Sequence, residues 1–183
     1  MNLHGVQLVK ASSTGGFRAL PTRRDFFAEI VERLRPALPI EWAEFRHKAN
    51  SFLLKIYFDN ERVHYEVWCD GERQNLEIGL HFEDGPLSTA AYLAHFDGLI
   101  VELKDLLGAE IELERWTASW GHLYEHWPLT ALTDALAARV ASRLARLIAT
   151  LQPLVETASI SPERSTLPSE DTARRGQWRK WRR

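Results

Sequence analysis

The sequence predicts an α+β fold: an antiparallel β-sheet, a meander of 3–5 strands, covered on one face by helices, with a long C-terminal helix and a disordered basic tail. Three observations carry that reading. Residues 50–83 alternate apolar and polar side chains with the period of a strand that buries one face. The segments flanking them repeat apolar residues at helical spacing. The last ten residues, 174–183, hold six Arg or Lys, two Trp and no acid.

Taken in order, residues 3–9 read as a short strand and residues 12–16 as a loop. That loop lacks the second glycine spacing and the Gly-Lys pair of a phosphate-binding P-loop. Thr22 is a good N-cap, and Phe26, Phe27, Ile30, Val31 and Leu34 follow at helical spacing. Pro36 ends that helix near Arg35. Residues 41–48 read as a further strand anchored by Trp42 and Phe45.

In the meander, Phe52, Leu54, Ile56, Phe58, Val63, Tyr65, Val67, Leu76, Ile78, Leu80 and Phe82 share one face. Turn chemistry lies at residues 59–61 and at Asp70-Gly71. Keeping the apolar residues together pairs Ile56 with Tyr65 and Leu54 with Val67, then Val67 with Leu76 and Tyr65 with Ile78. That register lines up Lys55, Glu66 and Glu77 on the other face and leaves His81 diagonal to His64. His64, Glu66, Glu77 and His81 therefore form a polar constellation suited to metal binding or acid–base work. The plain alternative is a solvent-facing sheet side with Lys55 as the compensating cation.

Beyond the meander, Ser88 caps a predicted helix that runs to Leu107, with Gly108 as its stop. Asp97 with Glu102 and Lys104 resembles the acid and Glu-x-Lys elements of PD-(D/E)xK nucleases. That chemistry needs strand geometry, whereas the apolar spacing places these residues around a helix. Residues 110–116 alternate as a strand whose acids Glu110, Glu112 and Glu114 extend the negative face. His122, Glu125 and His126 then spell H-x-x-E-H, which resembles the inverted zinc-protease motif; on a helix its two histidines would share a face. This segment departs from that family at Gly121 and Pro128 and in chain length. Trp116, Trp120, Tyr124 and Trp127 fall near one helical face, either packed in the core or, for Trp116, Trp120 and Trp127, forming a ligand platform.

Residues 130–151 make the strongest helical pattern, with Arg139, Arg143 and Arg146 as an outer basic stripe and alanines that allow a homodimer seam. Pro153 ends or kinks it. Residues 1–157 are thus one α+β domain, and residues 158–183 a flexible Ser/Thr/Pro linker with its tail.

The chain carries a net charge of −2, yet without the last ten residues 17 basic face 25 acidic side chains, a net of −8. One cysteine, no signal-peptide pattern and no apolar run of spanning length favour the cytoplasm. The leading expectation is a non-enzymatic interaction module. Its tail residues Arg174, Arg175, Trp178, Arg179, Lys180, Trp181, Arg182 and Arg183 would contact nucleic acid or an acidic protein, with no cofactor. Such a tail also suits an anionic membrane surface, or the acidic sheet face itself. The alternative is a metal-dependent hydrolase in which His64 and His81 ligate the metal and Glu66 or Glu77 serves as ligand or base.

Overall fold

A computed structural model describes residues 18–158. The expected strand at 3–9, the loop at 12–16, the linker from 159 onward and the basic tail lie outside the described residues. Among the described residues the fold is a six-stranded antiparallel sheet carrying four helices. Its strands are β1 (Arg46–Ala49), β2 (Leu53–Tyr57), β3 (Val63–Asp70), β4 (Asn75–Phe82), β5 (Glu112–Arg115) and β6 (Gly121–Pro128). They run in the order β1-β2-β3-β4-β6-β5, so β6 inserts beside β4 and leaves β5 at the edge.

The helices are α1 (Arg23–Leu34), α2 (Pro86–Asp97), α3 (Ile100–Leu107) and α4 (Asp134–Thr157). Thr22 opens α1 with a reciprocal capping box, its hydroxyl accepting from the Asp25 amide and the Asp25 carboxylate accepting from the Thr22 amide. The helix gives way at Arg35 to a short 3-10 turn containing Pro36. Phe26, Phe27, Ile30 and Leu34 of α1 join Val140, Leu144, Leu147, Ile148 and Leu151 of α4 over Leu54, Ile56, Val67, Leu76, Ile78, Leu80 and Leu123 of the sheet. Each such side chain, fully buried, contributes on the order of 1.5–3 kcal/mol before chain entropy is charged against it. Tyr65, on the same face, donates its hydroxyl to Gln152 of α4.

Several details differ from the sequence expectation. The β2–β3 register holds, with Leu54 opposite Val67 and Ile56 opposite Tyr65. The β3–β4 register is two residues further on: Val67 faces Ile78, Tyr65 faces Leu80 and Val63 faces Phe82. The turn is a four-residue loop between Asp70 and Asn75, closed by the Asp70 carboxylate accepting from the Glu72 and Arg73 amides. Gln74, at φ 53°, takes the left-handed position that favours glycine. Residues 40–42 form a 3-10 turn, so the strand begins only at Arg46.

Residues 86–107 form two helices, broken at Gly98, and the cap of α2 is Gly85 at φ 86° in place of Ser88. Glu102 and Lys104 sit on helix α3, away from any strand. Helix α4 starts later than expected, at the cap Thr133, and runs through Pro153 to Thr157. Proline there removes one donor and crowds the carbonyl a turn before it, yet the helix continues and closes beyond it with the Thr157 hydroxyl donating to the Pro153 carbonyl.

The arginines of α4 are not a free outer stripe. Arg139 lies over the Trp127 ring, Arg143 binds Glu125, and Arg146 donates to the Leu106 carbonyl. Ala137 and Ala141, which suggested a homodimer seam, are buried within the protomer where α4 packs on α1 and β4. No helix among the described residues is long and apolar enough to cross a membrane.

Candidate metal centre

The corrected register assembles the site. On the face away from α1 and α4, His64, His81 and His122 stand directly opposite one another across β3, β4 and β6. Glu77 of β4 faces Trp68 on one side and His126 on the other. His81 is therefore not diagonal to His64 but beside it, their rings stacked at 5.5 Å. Lys55, Glu66 and Gly79 form the neighbouring row, completed by Tyr124. This face is not a wet one: His64, Glu66, Glu77, His81 and His122 are all between 0 and 6% exposed.

H-x-x-E-H lies on strand β6, where alternation sends its members to opposite faces. His122 and His126 join the histidine face, while Glu125 points to the helices and pairs with Arg143. The helical zinc-protease geometry is therefore overturned, although both histidines belong to the cluster. The three candidate platform tryptophans separate likewise. Trp116 and Trp120 lie 6.2 Å apart at one end, whereas Trp127 packs against the core beneath Arg139.

Glu77 is the hub. Its Oε1 lies 3.2 Å from His122 Nδ1 and 3.3 Å from His81 Nε2, and its Oε2 lies 3.3 Å from His126 Nε2. The His81 contact is off the line a hydrogen bond needs, so among the described residues His81 Nε2 has no hydrogen-bond partner; nor do His64 Nδ1 and His122 Nε2. Orphaned buried imidazole nitrogens are costly and point to something that binds them. The His122 ring is fixed by stacking with Tyr124 at 3.9 Å and with Trp116 at 5.4 Å. The Tyr124 hydroxyl in turn lies 3.1 Å from both Glu112 and Glu114 and shares its one proton between the two carboxylates.

Among the described residues two groups converge closely enough to hold an ion, each with ligand atoms within 4.8 Å of one another: Glu77, His81 and His122, and His64, Glu66, His81 and Glu83. The second already holds a cation, since Lys55 Nζ lies 3.1 Å from Glu83. The first lies beneath a cavity of about 430 Å³ whose lining includes Glu77, Glu114, His122, Tyr124 and His126. Sequence reasoning named Glu77 and His81 but missed His122 as their partner. The signal was the alternation of His122, Tyr124 and His126 against Leu123 and Trp127.

The electrostatics fit a cation. Burial alone would raise the Glu77 carboxyl, but the imidazoles of His122, His126 and His81 outweigh it and hold the group well below the usual carboxylate range. Glu66 is treated alike: burial raises it, while His81 and His64 lower it further. Burial also disfavours a charged His81, yet Glu66, Glu77 and Glu83 together pull its pKa upward. Three carboxylates around one buried ring mark a place that favours positive charge. His64, with less carboxylate support, is pushed down by burial.

Gly79 makes room for this arrangement. A Cβ there would stand 2.5 Å from the Leu123 carbonyl oxygen and 2.7 Å from Tyr124 Cβ, so β6 approaches β4 closely only because the position is glycine. The tail residues Arg174, Arg175, Trp178, Arg179, Lys180, Trp181, Arg182 and Arg183 lie outside the described residues. Fold and site together define a small α+β protein with a buried His/Glu cluster in its sheet. No protein-family model and no curated protein matches the chain.

Proposed function

We propose that the chain is a metal-dependent hydrolase whose ion is held by Glu77, His81 and His122. One observation carries this: two imidazoles and a carboxylate from adjacent strands converge within 4.8 Å, with orphaned ring nitrogens, under an open cavity. Two His and one carboxylate suit zinc or a similar divalent ion, and three protein ligands leave a coordination position for water. Held by these three residues, such an ion would lower the pKa of a water and so supply a hydroxide nucleophile near neutral pH, suited to a carbonyl or phosphoryl centre. Glu114 lines the cavity 3.6 Å from His122 Nε2 and supplies a carboxylate able to take the proton. His126, on the far oxygen of Glu77, orients that ligand.

The test is metal content after dialysis against zinc, together with hydrolysis of p-nitrophenyl acetate and bis-p-nitrophenyl phosphate. One equivalent of zinc, lost in His122→Ala but kept in His64→Ala, is expected. Absence of stoichiometric zinc in a folded protein, or its retention in His122→Ala, overturns the assignment.

A second reading rests on the charge asymmetry of the sequence: a basic, tryptophan-bearing tail on a body of net −8 suits single-stranded nucleic acid. Anisotropy of a labelled oligonucleotide over a salt series tests it. Six tail cations correspond to a log–log slope of about −4 to −5. Binding that survives removal of residues 174–183 sinks that reading.

A further inference from the structure

A second cavity, of about 590 Å³, opens on the opposite side of the sheet, between α1 and the edge strand β1. Phe27, Val31 and Leu54 give it an apolar floor, and Arg24 stands at its rim. None of the residues lining it is acidic, and among the described residues Arg24 makes no ion pair. On the other wall runs the backbone of β1.

The hydrogen-bond pattern of β1 decides what that wall offers. The Asn50 amide donates to the Leu53 carbonyl, which fixes the phase of the ladder. In an antiparallel pair bonded and non-bonded positions alternate. Lys48 and Arg46 are then bonded to Lys55 and Tyr57, while Ala49 opposite Leu54 and His47 opposite Ile56 are not. The amides and carbonyls of His47 and Ala49 therefore point outward from the sheet edge, and the same two residues line the cavity. A strand edge unpaired among the described residues, beside an apolar pocket and a helix, is the geometry that accepts an added strand, with main-chain bonds giving affinity and the pocket giving specificity.

We propose that the groove between α1 and β1 binds an extended peptide segment of a partner protein by strand addition to β1. The segment places an apolar side chain over Phe27, Val31 and Leu54, and a carboxylate two residues away, on the same face of the strand, at Arg24. Its side chains alternate, so residues i and i+2 meet the pocket and the arginine together. β1 itself is four residues long and carries Arg46 and Lys48, which discourages indiscriminate edge pairing and leaves selection to the pocket.

The probe is the end-capped heptapeptide Thr-Val-Thr-Leu-Thr-Glu-Thr, with a version carrying Lys in place of Glu, titrated into the full-length isotope-labelled chain. Amide shifts confined to residues 24–31 and 46–54, with slowed exchange at His47 and Ala49, are expected. The Lys peptide should bind roughly tenfold more weakly, the scale of one charged hydrogen bond. Arg24→Glu should invert that preference, and Ala28→Trp, a change at an exposed wall position, should abolish binding of both. No shifts at millimolar peptide, or a preference unchanged in Arg24→Glu, overturns the proposal. So does slow exchange of His47 and Ala49 in the chain alone, since the edge is then already covered by this chain or a second copy.

Discussion

Glu125 and Arg143 meet through two parallel hydrogen bonds of 2.7 Å on the helix-covered side of the sheet, one residue away in sequence from side chains that face the histidine cluster. The pair joins β6 to α4 and is nearly sealed from solvent, with side chains 6% and 11% exposed. A buried fork-to-fork pair is strong in geometry but dangerous to halve, because the surviving charge has no water to turn to.

Arg143→Met is therefore expected to destabilise the fold by about 3–5 kcal/mol. Adding Glu125→Leu should recover much of that loss. Urea denaturation of the two variants checks it. Equal stability of Arg143→Met and the parent chain would mean that Glu125 is solvated after all.

Gly79→Ala should cost about 1–3 kcal/mol, the range for overpacking. The added methyl meets backbone and Cβ atoms of Leu123 and Tyr124, so β6 must shift away from β4. The Tyr124 ring then moves off His122, and zinc retention should fall along with stability. Thermal unfolding and zinc analysis on the same preparation read both.

Removing the imidazole that orients Glu77 tests the site without touching a proposed ligand. His126→Ala should leave zinc stoichiometry at one while weakening affinity roughly ten- to hundredfold. Competition with a chelator of known strength measures this. Full loss of zinc would instead make His126 a ligand.

His64 provides a pH signature. Burial lowers its folded pKa below the ordinary 6.5, so the unfolded chain binds the proton first. Its contribution thus diminishes stability progressively as pH falls below about 6.5 and is constant above that value. In the presence of chelator, His64→Gln should flatten the decline in unfolding free energy just below pH 6.5. An unchanged pH profile would show that His64 is free to protonate in the folded chain.

The meander and its apolar face were legible because Leu, Ile, Val and Tyr alternate there without interruption. The first hairpin register followed from the same alternation. The second did not, because Asp70-Gly71 offers an obvious tight turn while the chain uses a longer loop closed by Asp70 and turned at Gln74. A slip of two preserves which face each residue takes, so the core assignments of β3 and β4 survived while His64 and His81 were separated; Phe52, expected inward, precedes β2 and is exposed instead. Strand β6 was hidden for another reason. Trp116, Trp120, Tyr124 and Trp127 mimic helical spacing, and Glu125 occupies a core-facing position that only Arg143, 18 residues later, explains. Pairing across that distance is invisible to local periodicity.

The insertion of β6 beside β4 also dictates an order of events. β2, β3 and β4 can pair by short connections, but β4 keeps an open apolar edge until residues 121–128 have been made and have docked. During synthesis that edge is a hazard for intermolecular pairing, since unpaired strands recruit one another. Glu77 and His81 sit on β4, and His122 arrives with β6, so the three proposed ligands come together only when that strand has docked. Metal capture would then report completed folding: a chain stalled before β6 docks carries two of the three groups and no closed site.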